Sequence, residues 1–569
     1  MSTATGDLIT RIYANFRGCD FRGEEINIVR SPDCLNVWRD YKETESIRTR
    51  PGMELYMGFT DPVYGIFFYK DMMLVHSGTK LYKVANGVKT ALYSGLNAME
   101  SNGFVFENIW YFKDGKNYLQ YDGKNISKVV GYIPATSIGR KPEGGGTLYE
   151  DINMLSPYRI NKFCTDEHTE FVLDAQNIDK DFVPVITDYL GNVYDPDYYQ
   201  VNYTDGIIQY SGGTFPVHPT DGADNVFIQF KKAVEGYEDK ILKCTLLQVF
   251  DNRVFVSGNP DYPNTVWHCS LNDPTYFSDL DYYREGVDDA AVKGLVAGNN
   301  ALWVFREPSD ANTTVFYHSP TIDSEYGKIY PSQHSSITTG CIGKAVNFND
   351  DIIFFSERGM EGISGDVTTE QAIAHRSSLV DRKMIAEGDY TKMVLAEWEG
   401  YLLVFIWNEK KKVTQVYLAD SRTAFTYENH LEYDWFYWEL DKKIGYAKVY
   451  DGKLYLCAED GIYTLTDTEA HVESYWVTPK DKFSSPNKMK TTNKKGCTVE
   501  AEGEEISVYA KTDKEEAFNL IDTFYDVTDS FVCRIKKKKW KDVQIKFYST
   551  KRFALETATL EAFIGGYLK

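Results

Sequence analysis

The sequence lacks any run of about 18 apolar residues, so no transmembrane helix is predicted. The first residues also lack the basic and apolar regions of a signal peptide, which predicts synthesis in a cytosol. The nine cysteines form an odd set without a C-x-x-C pair, and this pattern indicates neither a disulfide framework nor a zinc site. We therefore expect a soluble protein with buried free thiols and no membrane insertion.

The sequence also lacks the common catalytic motifs. It has no H-E-x-x-H, G-x-S-x-G, G-x-x-x-x-G-K-[ST] or strand-borne G-x-G-x-x-G, which argues against the commonest metalloprotease, hydrolase and nucleotide-binding sites. The S-x-D-x-G-x-x-W repeat usual in sialidase propellers is missing as well. Arg253, Arg306 and Arg358 are the nearest arginine candidates for a substrate carboxylate, and the alternative is a structural role in capping turns or pairing with neighbouring acidic residues. We predict no enzyme, no cofactor and no metal.

Positive charge is scarce, with 62 Lys and Arg against 83 Asp and Glu and a formal net charge of −21. A general nucleic-acid-binding protein would carry a basic footprint, so this class is disfavoured. A negatively charged channel is different, because it repels phosphates and lets a duplex pass without being held. We expect such a channel to carry acidic side chains on its inner loops, for example Asp288, Asp289, Glu357 and Glu361.

A short pattern recurs along the chain: two turn residues followed at once by four to six apolar or aromatic residues. Counted by the second turn residue, the seven copies lie at Asp71, Asn108, Asn252, Asn300, Asp350, Gly400 and Gly452. Most steps are close to fifty residues, which is typical of the four-stranded blades of a β-propeller. The pattern predicts an all-β protein with a propeller of seven blades, or of six if one copy is degenerate.

One step is longer and predicts an insertion. Between Asn108 and Asn252 the chain has short strand patterns of its own, with a hairpin turn at Asp205-Gly206. The predicted division is an N-terminal arm over 1–45, a first propeller part over 46–139, and an inserted β-sandwich over 140–243. A second propeller part follows over 244–476 and a C-terminal β domain over 477–569, where alternation such as "DVQIKFYS" returns.

The basic residues are segregated in this acidic chain. "RIKKKKWK" from Arg534 and "KMKTTNKK" from Lys488 fall in the C-terminal domain, and "RTRPG" from Arg48 lies at the propeller entry. The candidate contact residues are Arg48, Arg50, Lys536, Lys537, Lys538 and Lys539. They would dock on an acidic neighbour or touch the end of a DNA molecule. The alternative is a solvated strand face.

Several stretches resemble one protein family. The head "RSPDCLNVWRDYKETESIRTRPGMELY", the middle "NRVFVSGNPDYPNTVWHCSLNDPTYF", the late "YLADSRTAFTYENHLEYDWFYWEL" and the closing "KKWKDVQIKFYSTKRFALETATLEAFIGGYLK" are similar to parts of the tail nozzle proteins of tailed bacteriophages. These propeller proteins are also described as packaged-DNA stabilisation proteins of the head-to-tail connector. The inserted domain departs from the simplest pattern of the family.

The resemblance implies a structural protein of the phage tail, assembled in the host cytoplasm. It implies a homohexameric ring that contacts the portal-adaptor ring proteins and tail fibre or tail-tip proteins, and packaged double-stranded DNA passing through its lumen. It implies no enzymatic activity. The alternative is a tail-tip propeller that binds or cleaves a host-surface glycan.

Overall fold

In the computed structural model of the protein, residues 7–567 are described, except 42–45, 166–168, 311–312, 325–326, 365–366, 368–371, 428–429 and 468–470. The chain divides into two compact units. One contains Met1–Ala91 and Ser335–Lys569, and the other contains Leu92–His334. No helix in the described ranges is long and apolar enough to cross a membrane.

The N-terminal segment contributes five short strands. They are β1 (Leu8–Tyr13), β2 (Cys34–Leu35), β3 (Val37–Trp38), β4 (Ile47–Thr49) and β5 (Gly52–Gly58). Residues 1–45 are the predicted N-terminal arm, of which residues 1–6 and 42–45 lie outside the described residues. In the structure, β1 to β3 of this arm pair with strands that come from the second half of the chain.

Two four-stranded antiparallel sheets follow. The first has β6 (Val63–Tyr69), β7 (Met72–Ser77), β8 (Lys80–Ala85) and β9 (Val88–Ser94). The second has β10 (Asn102–Phe106), β11 (Ile109–Lys113), β12 (Tyr118–Tyr121) and β13 (Ile126–Lys128). In both sheets the strands pair in sequence order, which is the arrangement of a propeller blade.

The inserted domain is a β-sandwich. Its strands are β14 (Ala135–Arg140), β15 (Thr147–Leu148), β16 (Tyr158–Phe163), β17 (Glu170–Val172), β18 (Val185–Asp188), β19 (Tyr199–Asn202), β20 (Ile207–Tyr210) and β21 (Val226–Lys231). A five-stranded sheet, β15-β14-β16-β21-β18, and a three-stranded sheet, β17-β20-β19, share one apolar core that includes Phe163, Phe171 and Ile228. The predicted hairpin at Asp205-Gly206 is confirmed, since β19 pairs with β20 across it.

A short helix, α1 (Tyr237–Leu242), leads into two further four-stranded sheets. The third sheet has β22 (Leu246–Phe250), β23 (Arg253–Ser257), β24 (Thr265–His268) and β25 (Tyr282–Arg284). The fourth has β26 (Val292–Gly298), β27 (Ala301–Arg306), β28 (Val315–His318) and, after the small hairpin β29 (Thr321–Asp323) and β30 (Gly327–Ile329), β31 (Ser332–His334).

Three more four-stranded sheets follow. The fifth has β32 (Ala345–Phe348), β33 (Asp351–Ser356), β34 (Gly359–Ile363) and β35 (Ile373–His375), and it is followed by helix α2 (Asp381–Glu387). The sixth has β36 (Val394–Trp398), β37 (Tyr401–Asn408), β38 (Val413–Tyr427) and β39 (His430–Leu440). The seventh has β40 (Tyr446–Tyr450), β41 (Lys453–Ala458) and β42 (Gly461–Thr466), and its fourth strand is β5 from the N-terminal segment.

Each of the seven repeated turns joins the first two strands of one of these sheets. At Asn299-Asn300 both backbone φ angles are positive, 52° and 56°, and at Asp451-Gly452 they are 48° and 71°. Positive φ at both central residues defines the type I′ turn, whose twist matches that of a two-residue hairpin. Asn, Asp and Gly tolerate this conformation better than other residues, which explains why these turns can be recognised from the sequence. The β-propeller fold is therefore confirmed, with seven four-stranded sheets in the described residues.

The remaining strands build a carboxy-terminal sheet. They are β43 (Ser474–Val477), β44 (Lys488–Thr512), β45 (Asn519–Val527), β46 (Ser530–Cys533), β47 (Lys538–Trp540), β48 (Val543–Ser549) and β49 (Phe553–Tyr567). The hydrogen-bonded order is β2-β43-β48-β44-β49-β4-β3-β39. Because β39 also belongs to the sixth propeller sheet, the carboxy-terminal sheet is continuous with the propeller rather than separate from it.

Buried charge fixes the N-terminal segment to this sheet. The fully buried Asp434 of β39 accepts hydrogen bonds from Arg17 and Arg30, each at 2.7 Å. Between these arginines, Gly18 has φ +80°, and a Cβ at this position would lie 1.9 Å from the carbonyl oxygen of Trp435. Only glycine allows the two backbones to approach so closely.

Candidate basic interface on the carboxy-terminal sheet

The carboxy-terminal sheet reverses the charge balance of the chain. Residues 477–569 contain 18 Lys and Arg against 14 Asp and Glu, a net charge of +4, which leaves −25 for the rest of the chain's −21 total. A local basic excess on an acidic protein makes this region the candidate surface for an anionic partner.

Two basic segments, far apart in sequence, lie side by side. The Thr492 hydroxyl donates to the Ile535 carbonyl at 2.5 Å, and the Thr492 N–H donates to the Lys537 carbonyl at 3.0 Å. Further along the same strand, Cys497 of β44 is directly opposite Cys533 of β46. This pairing brings the run from Lys488 next to the run from Arg534.

Alternation decides which side chains reach solvent. Arg534, Lys536 and Lys538 are exposed, whereas Ile535 and Trp540 between and beyond them are buried. Exposed and buried residues alternate from Cys533 to Lys536, and the three cations all lie on the solvent side of the segment. With the exposed neighbours they form the basic surface, defined as Lys494, Lys495, Arg534, Lys536, Lys538 and Lys539. Within the described part of the chain, no ion pair engages any of these six side chains.

Two lysines of the same runs are used inside the fold. Lys537 forms an ion pair with Glu515, and although burial raises the pKa of Glu515, its hydrogen bonds with Lys537 and Thr512 hold that pKa below its usual value. Lys490 is buried and donates to the carbonyls of Ser485 at 2.6 Å and Lys541 at 2.8 Å. Burial lowers the pKa of Lys490. These two lysines hold the segments in place rather than facing a partner.

An acidic surface adjoins the basic one. It is defined as Glu500, Glu502, Asp526 and Asp529, all exposed, and none forms an ion pair with a described residue. The Ala501 N–H donates to the Asp529 carbonyl at 2.9 Å, which brings β44 and the turn before β46 together. Thr498 and Val532 are paired and exposed between the two surfaces. The sheet face therefore has a basic and an acidic part, a feature that the lysine runs alone did not reveal although "EAEGEE" begins at Glu500, between the two runs.

The two predicted arginines lie elsewhere. Arg50 is buried and donates to Asn36 Oδ1 at 2.9 Å and to the carbonyls of Pro51 and Glu439 at 2.8 and 3.0 Å. Burial lowers the pKa of Arg50 to about 10. Arg48 is half-buried and lines a cavity of about 590 Å³ together with Glu502 and Asp526 of the acidic surface. Of the six predicted contact residues, Lys536, Lys538 and Lys539 belong to the basic surface, and Arg48, Arg50 and Lys537 do not.

Two of the acidic residues expected on inner loops, Glu361 and Asp288, form contacts inside the fold. Glu361 is 3% exposed and contacts His375 Nδ1 at 3.2 Å, so it presents no free carboxylate to a lumen. Asp288 forms an ion pair with the buried Arg306. The expectation is wrong for Glu361 because its side chain belongs to a buried charge network.

Two histidine clusters invite comparison with catalytic sites. In the first, His318 Nε2 lies 2.8 Å from Glu285 Oε1, and the Ser332 hydroxyl donates to the other oxygen of Glu285 at 2.7 Å. The serine thus bonds to the carboxylate and not to the histidine, which is the wrong order for activating a nucleophile.

The three arginines considered for substrate binding also have partners, as Arg253 donates to the Cys269 carbonyl and Arg358 contacts Glu361.

In the second cluster His375 lies between Glu361 and Asp381. Burial opposes the protonated form, but hydrogen bonds with Asp381 at 2.5 Å and with Glu361 raise the pKa of His375 to about 9. A histidine held in its charged form between two carboxylates stabilises the fold and has no proton acceptor to offer at neutral pH. In the residues that the structure covers, no group of three or more His, Cys, Asp and Glu is placed to hold a metal.

No protein-family model matches the chain, and no curated protein matches it. Among solved structures, BamB from Moraxella catarrhalis is similar over 74% of this chain and 99% of its own, with 10% identity and a TM-score of 0.33. PorZ from Porphyromonas gingivalis has 12% identity over 83% of this chain and 70% of its own, with a TM-score of 0.24. An exo-beta-1,3-galactanase from Phanerochaete chrysosporium has 8% identity over 55% and 95%, with a TM-score of 0.22. Similarities of this size assign no function.

Proposed function

We propose that the chain is a structural protein of a tailed-phage virion. It forms a nozzle-type ring in the tail or head-to-tail connector, below the portal-adaptor ring, and it retains genomic DNA until ejection and conducts it during ejection. The proposal rests on the sequence resemblance and on one structural observation about where the resembling segments lie.

That observation is the pairing of the two ends of the chain. The head segment that carries the resemblance contributes β2 to β5, and the closing segment contributes β47 to β49. Ile47 of β4 is directly opposite Leu555 of β49, and Cys34 of β2 is opposite Trp476 of β43, which in turn pairs with β48. Most of the head and the closing stretch therefore share one sheet, which supports the view that these two resembling stretches belong to one structural unit.

The construction suits a component under mechanical load. The ends of the chain are tied into a sheet that continues into a propeller sheet, and Asp434 with its two arginines locks the N-terminal segment at this junction. Breaking a buried ion pair of this kind leaves an uncompensated charge and is strongly unfavourable. A ring built from copies related by rotation closes through head-to-tail contacts, which spread load equally over all subunits.

The test uses the full chain and the portal-adaptor complex of the same virus. After mixing, negative-stain images are expected to show an additional ring with an axial hole on the distal face of the adaptor. Absence of a complex, together with binding to host surface polysaccharide, would reject this proposal and favour the glycan-binding alternative. An activity screen on the same polysaccharide distinguishes binding from cleavage.

A further inference from the structure

The basic surface of Lys494, Lys495, Arg534, Lys536, Lys538 and Lys539 is built from two segments and is unmatched by carboxylates of the described chain. We propose that it binds the phosphate backbone of duplex DNA without reading its sequence. The inference rests on the proposed function, because it identifies the residues that would hold DNA in a tail protein.

The spacing of the cations fits a phosphate chain. In a fully extended segment alternate residues are about 6.6 Å apart, and this is about the largest spacing between neighbouring cations among Arg534, Lys536 and Lys538. Phosphates of one DNA strand advance about 3.4 Å along the helix axis and also rotate around it, so neighbouring phosphates lie farther apart in space than this rise. Successive exposed cations, with their flexible side chains, can therefore meet neighbouring phosphates of one strand, and Lys494 and Lys495 on the neighbouring segment extend the contact sideways.

The composition of the surface indicates contact without base readout. Five of its six members are lysines, which act as flexible point charges toward phosphates. Base recognition in the major groove relies mainly on bidentate Arg, Asn or Gln side chains presented by a helix or ribbon that enters the groove. The surface has a single arginine, Arg534, on a sheet face. Phosphate contacts position a protein on DNA but carry no sequence information.

The acidity of the whole chain does not prevent this contact. At physiological salt, exposed charges are screened beyond about 8 Å, so the −25 carried outside residues 477–569 acts weakly at the basic surface. The adjoining acidic surface is closer and does oppose binding. It confines DNA contact to the basic surface. The expected affinity for DNA is therefore low enough for DNA to dissociate as it moves.

The experiment measures binding of a short fluorescent duplex to the full chain by anisotropy, at salt concentrations from about 50 to about 200 mM. Six phosphate contacts predict a slope of log affinity against log salt of about −5, and a loss of affinity of about 10³-fold across this range. The variant with Lys494, Lys495, Lys536 and Lys538 changed to Gln retains two cations, and its slope is expected to fall to about −2.

A matched control removes four exposed lysines from other parts of the chain. Lys124, Lys128, Lys180 and Lys410 are exposed, and changing them to Gln alters the net charge by the same amount. This control is expected to keep the wild-type slope. A third variant, Glu500→Gln with Asp529→Asn, removes repulsion beside the surface and is expected to bind duplex DNA several-fold more tightly. Circular dichroism and thermal unfolding check that all variants fold.

Three results would overturn the inference: no binding by the wild-type chain at the lowest salt, equal slopes for the surface variant and its control, or equal affinity for poly-glutamate and duplex DNA. The last result would assign the surface to an acidic protein partner. Because ring formation and adaptor binding are measured separately, loss of DNA binding with an intact ring would leave the proposed function standing.

Discussion

Asp434 and Arg376 in the propeller sheets are fully buried and paired, whereas Lys536 and Lys538 in the carboxy-terminal sheet are exposed and meet no carboxylate of the described chain. The two regions use charge in opposite ways. Buried charges in and beside the propeller sheets join segments that are separate in sequence. Charges on the carboxy-terminal sheet face remain available to another molecule. Substitutions at the two kinds of position should therefore separate stability from binding.

The largest effect is expected at Asp434. Asp434→Ala leaves Arg17 and Arg30 without their shared carboxylate and should lower the free energy of unfolding by about 3–5 kcal/mol, measured by urea denaturation. The control is Asp460→Ala, which removes an exposed pair with Lys442 at 2.7 Å and should cost less than about 1 kcal/mol. Equal losses in the two variants would contradict a special role for buried charge.

Glycines of the two regions should also differ. At Gly496, φ is +80° and a Cβ would lie 2.1 Å from the Cys533 carbonyl oxygen, so Gly496→Ala forces β44 away from the segment that carries the basic surface. We expect a loss of about 2–4 kcal/mol from left-handed strain and overpacking together. Gly452 in a propeller turn has φ +71° and no atom within 4 Å of such a Cβ, so Gly452→Ala should cost only about 1 kcal/mol. Chemical denaturation of both variants measures the two losses in the free energy of unfolding, and the loss is expected to be larger for Gly496→Ala.

The pH dependence of stability should reveal buried charge in the propeller sheets. The folded pKa of His375 is raised to about 9 from an ordinary value of about 6.5, so its stabilisation is complete below about pH 6.5 and is lost as pH rises toward 9. The urea midpoint should fall over this range in the wild type and fall less in His375→Gln. Parallel curves for the two proteins would show that His375 is not held in its charged form.

His268 should show the opposite sign. Burial lowers its pKa to about 4, so its contribution is present above about pH 6.5 and is lost as pH falls toward 4. In His268→Gln the loss of stability between these values should be smaller than in the wild type. A loss of the same size in both proteins would assign the acid sensitivity to other groups.

The smallest effect on stability is expected on the basic surface. Lys536→Ala with Lys538→Ala should change the free energy of unfolding by less than about 0.5 kcal/mol, because exposed side chains without partners contribute little to folding. The same variant should bind duplex DNA more weakly than the wild type. A large loss of stability would show that these lysines hold the sheet together.

The same contrast explains what could be predicted from the sequence. The propeller sheets depend on local hairpins, and their turn residues, such as Asn299-Asn300, reveal a backbone conformation that few residue types adopt. Helix α2 likewise lies within one short stretch, "SSLVDRKMIAE" around Leu379. These features are local, so a short stretch of sequence contains the whole signal.

The carboxy-terminal sheet was harder to predict because its pairing is not local. Nothing in the sequence around Ile47 indicates that it lies opposite Leu555, or that Arg50 is buried while Lys538 is exposed. The lysine runs indicated where the candidate surface lies. Their division into exposed and structural members depends on partners such as Glu515, which only the folded chain brings into contact with Lys537.

The mass of the purified full chain in solution, measured by light scattering over a range of concentrations and with the adaptor added, tests the central claim most directly. A ring of six 65.2 kDa chains, about 390 kDa, formed alone or on the adaptor, is the result expected for a structural conduit. A chain that stays at the mass of a monomer under all these conditions would contradict the claim.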